Sequence, residues 1–149
     1  MKVYFTGTFD PPTIGHLNIV ERASGLFDEV VVLMLINPDK KTRYTVNQRL
    51  EMLKILTSDF ANVTFDFSEG FAVDYVKSHG GGVLLRGIRG VEDLAYETEM
   101  AKYNVEHGVD TVFMTAFDFF KTVSSTAVKE SGNESLLPPK IAQFIKTLS

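Results

Sequence analysis

The chain has no cysteine among its 149 residues, which excludes disulfides, thiol nucleophiles and cysteine-based metal centres. It has no basic excess: Lys and Arg number 15 against 19 Asp and Glu, for a net charge of −4. The surface as a whole therefore does not advertise nucleic-acid binding, and any anion site must be local. No stretch approaches about 18 uninterrupted apolar residues. No basic segment leading into an apolar run opens the chain, so no membrane partner is expected and the cytoplasm is the expected location. Internal repeats, low-complexity tracts and linkers are also missing, which leaves one domain over residues 1–149 as the expectation. With 44% hydrophobic and 23% charged residues, such a domain can bury a core of its own.

Strand and helix patterns take turns along the chain. Apolar runs occur at Lys2–Phe5, Val30–Ile36, Val63–Phe67, Val83–Leu85 and Thr111–Met114. The run Val30 to Ile36 is apolar on both faces, as a central parallel strand must be. Between these runs, Thr45-Val46-Asn47-Gln48 reads as a capping box followed by the stripe Leu50, Leu53, Leu56. Leu94, Ala101 and Val105 make a second stripe within Val91–His107, and Pro138-Pro139 is expected to start a last helix over Lys140–Leu148. The expected fold is α/β: a single Rossmann-like domain with a five-stranded parallel sheet and helices on both faces.

In such a sheet, ligands bind beyond the carboxyl ends of the strands. The stretch T-G-T-F-D-P-P-T-I-G-H-L, residues 6 to 17, lies at such an end. The helix after it is expected to begin near Gly15-His16 with Leu17, Val20 and Leu26 facing the sheet. Its first N–H groups lack intrahelical partners, an environment that suits a phosphate. Gly7 and Gly15 are expected to let backbone approach a ligand, Thr8 offers a hydroxyl and His16 an N–H. Each residue taken singly also fits an ordinary strand–helix turn. The dinucleotide pattern G-x-G-x-x-G is absent.

G-T-F-D-P-x-T-x-G-H resembles the nucleotidyltransferase superfamily with an (H/T)-x-G-H signature, and Thr13 in the first position resembles its phosphopantetheine adenylyltransferase branch. Three later stretches extend the resemblance. Asn37-Pro38-Asp39-Lys40-Lys41 follows the second strand, and Lys40 aligns with the family's phosphate-binding lysine. Arg86-Gly87-Ile88-Arg89 matches R-G-[LI]-R and gives two planar forks suited to phosphate oxygens; Tyr96-Glu97 matches the Y-E pair after it. Val123 to Lys129 resembles I-S-S-[ST]-x-[VI]-[KR], where hydroxyls at a helix start hold ATP phosphates. The loop Thr115–Thr122 departs from the family, with three phenylalanines and no proline.

The resemblance implies transfer of the adenylyl group of ATP to 4′-phosphopantetheine, giving dephospho-CoA and pyrophosphate on the way to CoA. The nucleophile is already an anionic phosphate, so the site must supply alignment and countercharge rather than a base. By resemblance the catalytic residues are His16, Lys40, Thr8 and Arg89. ATP would be held by Thr8, Phe9, His16, Gly87, Ile88, Arg89 and Glu97, and by Phe120, Lys121, Thr122, Val123, Ser124, Ser125 and Thr126. Thr8, Lys40, Ala72 and Arg86 would hold the phosphopantetheine. Mg2+ would accompany ATP, and no side-chain metal cage is expected; His79 and His107 read as surface residues. The family also implies a homohexamer, with Phe117, Phe119 and Phe120 easiest to explain at an interface, and feedback by CoA. The alternatives are a nicotinate mononucleotide adenylyltransferase, a cytidylyltransferase, or a non-catalytic nucleotide- or CoA-binding protein.

Overall fold

A computed structural model describes residues 1–115 and 136–148. Five parallel strands, β1 (Lys2–Gly7), β2 (Glu29–Leu35), β3 (Val63–Ser68), β4 (Val83–Ile88) and β5 (Thr111–Thr115), lie in the order β3-β2-β1-β4-β5. Among the described residues the helices are α1 (Ile14–Leu26), α2 (Val46–Thr57), α3 (Ala72–Ser78), α4 (Val91–Glu106) and α5 (Pro139–Lys146). This is the doubly wound α/β architecture expected from the sequence. The short helix α3 carries no periodicity long enough to announce it.

The sheet divides two apolar clusters. Val3 and Phe5 of β1, Val30, Val32 and Met34 of β2 and Leu85 of β4 pack against Val20 of α1, Leu53 and Leu56 of α2, and Ile141 of α5. The intervening residues Tyr4, Val31 and Leu84 face the other way, onto Val73 and Val76 of α3 and Tyr103 of α4. This is the two-residue period of a strand read on both sides of a buried sheet. The α2 cap forms as expected: Thr45 Oγ1 accepts from Gln48 N–H at 3.1 Å, and Gln48 Oε1 accepts from Thr45 N–H at 2.9 Å.

Two expected stripes are corrected. Leu26 is 69% exposed, because α1 ends there and extended Phe27 takes over the packing against the core. Leu94 and Val105 are also exposed. The side of α4 that borders the cavity carries Glu97, Tyr103 and Asn104 together with Ala101 of the expected stripe, and at 3.6 residues per turn Leu94 and Val105 lie round from its centre.

Candidate active site

The order β3-β2-β1-β4-β5 makes β1 and β4 neighbours whose outgoing connections diverge, so a crevice opens at their carboxyl ends. Gly7 and Thr8 stand at one lip, Ile88 and Arg89 at the other. The two motifs that the sequence keeps about 80 residues apart meet there, because β1 and β4 pair through Val3–Val83, Tyr4–Leu84 and Phe5–Leu85.

The turn after β1 is organised around an aromatic residue. Phe9 adopts φ +50° and buries its ring. Its ring meets those of Phe5 and His16 edge-on, with centroids 5.5 and 4.9 Å away. A Cβ at Gly7 would stand 3.1 Å from the Phe9 ring. A larger residue at Gly7 would press on that ring unless the ring shifted by a few tenths of an ångström, so packing also favours glycine at this position.

Thr13 caps α1, and His16 returns the bond. Thr13 Oγ1 accepts from His16 N–H at 3.4 Å, while His16 Nδ1 accepts from Thr13 N–H at 2.9 Å. With Nδ1 used as an acceptor, the ring proton of the neutral imidazole sits on Nε2. Burial, and then the positive charges of Arg86 and Arg89, push the His16 pKa down to about 3. His16 is therefore a neutral N–H donor at physiological pH.

Lys40 comes from the loop after β2. Asp39 N–H donates to Asn37 Oδ1 and Lys40 N–H to the Asn37 carbonyl, both at 3.0 Å, a turn that aims the chain back at β1. Lys40 Nζ donates to Thr8 Oγ1 at 3.2 Å, so these two expected site residues do meet. Behind them lie two groups that sequence reasoning had left without a role. Asp10 accepts from the Arg43 and Tyr44 N–H groups, and Arg49 donates to the carbonyls of Thr8 and Tyr44. Burial lowers the Arg49 pKa and the nearby Asp10 carboxylate raises it again. Their sequence signal was weak, since Arg49 stands inside a helix that reads as a plain amphipathic pattern.

On the β4 side, Arg86 grips Glu97 with two bonds, Nη2 to Oε1 at 2.7 Å and Nε to Oε2 at 3.0 Å. Its Nη1 donates to the Thr6 carbonyl at 2.6 Å. Glu97 is buried, and in this structure its carboxylate fixes Arg86. Arg89 donates from Nε and from its backbone N–H to Asp93, in the first turn of α4, at 3.2 and 3.1 Å. A cavity of about 190 Å³ between α3 and α4 is bordered by Thr6, Ala72, Arg86 and Glu97, which brings Ala72 and Arg86 together as expected. His79 and His107 lie at the surface, and among the described residues no group of three or more His, Cys, Asp or Glu could hold a metal ion. The expected contacts from Phe120 to Thr126, and the interface expectation at Phe117 and Phe119, lie outside the described residues.

Three cationic groups (Lys40, Arg86 and Arg89), a neutral imidazole N–H and a hydroxyl thus stand around a crevice beside a cavity, an arrangement suited to phosphate-bearing molecules. The comparisons with known proteins agree with this geometry. A family model described as cytidylyltransferase-like matches residues 4–131. The phosphopantetheine adenylyltransferase of Synechocystis sp. is 40% identical over 148 residues, covering 95% of this chain and 93% of that protein. Those of Clostridium novyi and Rhodopirellula baltica are 38% and 41% identical, each over 95% of this chain, and the alignments cover 92% and 80% of those proteins. In fold, the chain is similar to Plasmodium falciparum nicotinic acid mononucleotide adenylyltransferase complexed with NaAD, with a TM-score of 0.71 at 13% identity over 99% of this chain and 95% of that one. With a family model over residues 4–131 and relatives at about 40% identity along nearly its whole length, this chain is a member of the phosphopantetheine adenylyltransferase family of cytidylyltransferase-like nucleotidyltransferases.

Proposed function

We propose that the chain transfers the adenylyl group of ATP to 4′-phosphopantetheine, giving dephospho-CoA and pyrophosphate. An oxygen of the phosphopantetheine phosphate attacks the α-phosphorus of ATP. The bond from that phosphorus to the bridging oxygen breaks, and pyrophosphate leaves with the electron pair. No proton has to be removed from the nucleophile, so alignment and countercharge carry the rate.

The observation that best supports this reading is the Lys40–Thr8 contact at 3.2 Å, beside a histidine held as a neutral donor. In the proposal Thr8 orients the attacking phosphate and Lys40 balances its charge through the transition state. His16 donates to the α-phosphate, which holds its oxygen and stabilises its charge without adding a titrating group. Arg89 and Ser124 to Thr126 take the β- and γ-phosphates. Glu97 belongs on the ATP side by family likeness, with Phe9, Gly87 and Ile88; Arg86 and Ala72 border the cavity proposed for the pantetheine arm. Magnesium enters with ATP as part of the substrate and neutralises phosphate charge. The same reading takes the working form to be a homohexamer in the cytoplasm; among the described residues no helix is long and apolar enough to cross a membrane.

The test is product identification by mass spectrometry, with pyrophosphate followed in parallel. Separate mixtures contain ATP, magnesium and 4′-phosphopantetheine; ATP, magnesium and nicotinate mononucleotide; and CTP, magnesium and glycerol 3-phosphate. Dephospho-CoA and pyrophosphate in the first mixture alone are expected. Product in either other mixture alone contradicts the acceptor assignment. ATP binding without product in any mixture contradicts catalysis and leaves a nucleotide-binding protein.

A further inference from the structure

We propose that Asp10 and Arg49 are positioning residues that clamp the Lys40 loop onto the Thr8 turn and so set the reach of the Lys40 ammonium. This rests on the reading above, in which Thr8 and Lys40 meet the attacking phosphate.

Lys40 sits on a segment without regular structure, between the end of β2 and the Thr45 cap of α2. An ammonium on a flexible four-carbon stem holds a fixed place only if the backbone beneath it is fixed. Two buried charged groups do this together. Asp10 is 1% exposed, and each of its oxygens takes one backbone N–H of the loop: Oδ2 from Arg43 at 2.8 Å and Oδ1 from Tyr44 at 2.9 Å. Arg49 is 3% exposed and spans the same gap, with Nε on the Tyr44 carbonyl and Nη1 on the Thr8 carbonyl, both at 3.1 Å. The carboxylate thus ties the turn to the loop, and the guanidinium ties the loop back to the turn. Burying two charges is a poor route to stability compared with apolar packing. Charge-assisted bonds to backbone atoms are, however, short and directional. Here they join the two segments whose side chains form the Lys40–Thr8 contact.

A double-mutant cycle tests this. Asp10→Asn keeps the size of the side chain but places an NH2 against a backbone N–H. We expect it to lower the turnover rate on the order of 10²-fold, with KM for ATP little changed. In a Lys40→Ala background the same change should cost less than about threefold, because the residue it positions is gone. Equal losses in both backgrounds, or no loss in either, overturn the proposal. If Asp10→Asn does not fold by circular dichroism, Arg49→Lys goes through the same cycle with the same readings. Amide exchange gives an answer independent of turnover: Arg43 and Tyr44 N–H should exchange at least about tenfold faster in the folded variant. Unchanged exchange overturns the clamp whatever the activity. Faster exchange in a protein whose wild type makes no dephospho-CoA supports the clamp and contradicts the reaction instead.

Discussion

The two faces of the sheet are built to different ends. Beneath α1, α2 and α5, strand residues such as Val3, Val32, Met34 and Leu85 close against Leu53, Leu56 and Ile141 with little but apolar atoms. Beneath α3 and α4 the apolar cluster is smaller, and toward the carboxyl ends it gives way to a cavity walled by Thr6, Arg86 and Glu97. The change occurs within single strands: Leu85 points to the closed face, while its neighbours Leu84 and Arg86 point to the open one. Concentrating hydrophobic burial on one face leaves the other able to hold unfilled space beside the Arg86–Glu97 pair, as a binding site requires. The buried charges on the α2 side, Asp10 and Arg49, are engaged in backbone hydrogen bonds.

The contrast is open to attack by substitution. Leu53→Ala, at a fully buried position of the closed face, should cost about 2–5 kcal/mol in urea unfolding. Its turnover per folded molecule should stay unchanged. On the open face, Glu97→Ala should cost less, about 1–3 kcal/mol, since Arg86 retains some solvent and its Thr6 bonds. Its signature should be a raised KM for 4′-phosphopantetheine as the Arg86 fork is released, which steady-state kinetics would read.

A third effect is set by pH. The His16 imidazole protonates near 3 in the folded chain and near 6.5 when unfolded, so the unfolded chain binds more protons between those values. The stability due to the neutral ring is complete above about pH 6.5 and is lost as the pH falls toward 3, at up to about 1.4 kcal/mol per pH unit. Urea unfolding at pH 4.5 and pH 7 should show a smaller difference in His16→Gln than in the wild type. The smallest effect should come from Leu94→Ala on the outer side of α4, within about 0.5 kcal/mol. A loss above about 1 kcal/mol would mean that Leu94 is covered in the assembled protein.

The closed face was also the more legible one. Runs such as Val30 to Ile36 declare a strand buried on both sides, and the Thr45–Gln48 box fixes the start of α2 from four letters. Those signals are local, and local signals survive in sequence. The site was legible as motifs but not as contacts. Nothing local says that Glu97 will be buried on Arg86, eleven residues away, or that Asp10 will hold backbone 33 and 34 residues on. Leu26, Leu94 and Val105 misled for the same reason: periodicity marks an apolar stripe, but tertiary placement decides what faces the sheet. Gly7 shows it on a smaller scale, since the Phe9 ring that packs over it is not announced by any local pattern.

The most direct test of the account is single-turnover pyrophosphate release from ATP, magnesium and 4′-phosphopantetheine by wild type and His16→Ala, each corrected for its folded fraction. Loss of the Nε2–H donor should slow release by about 10²–10³-fold while the variant remains folded. Release within about threefold of wild type would contradict the role given to His16, and with it the reading of the turn from Thr6 to Leu17 as the phosphate-transfer site.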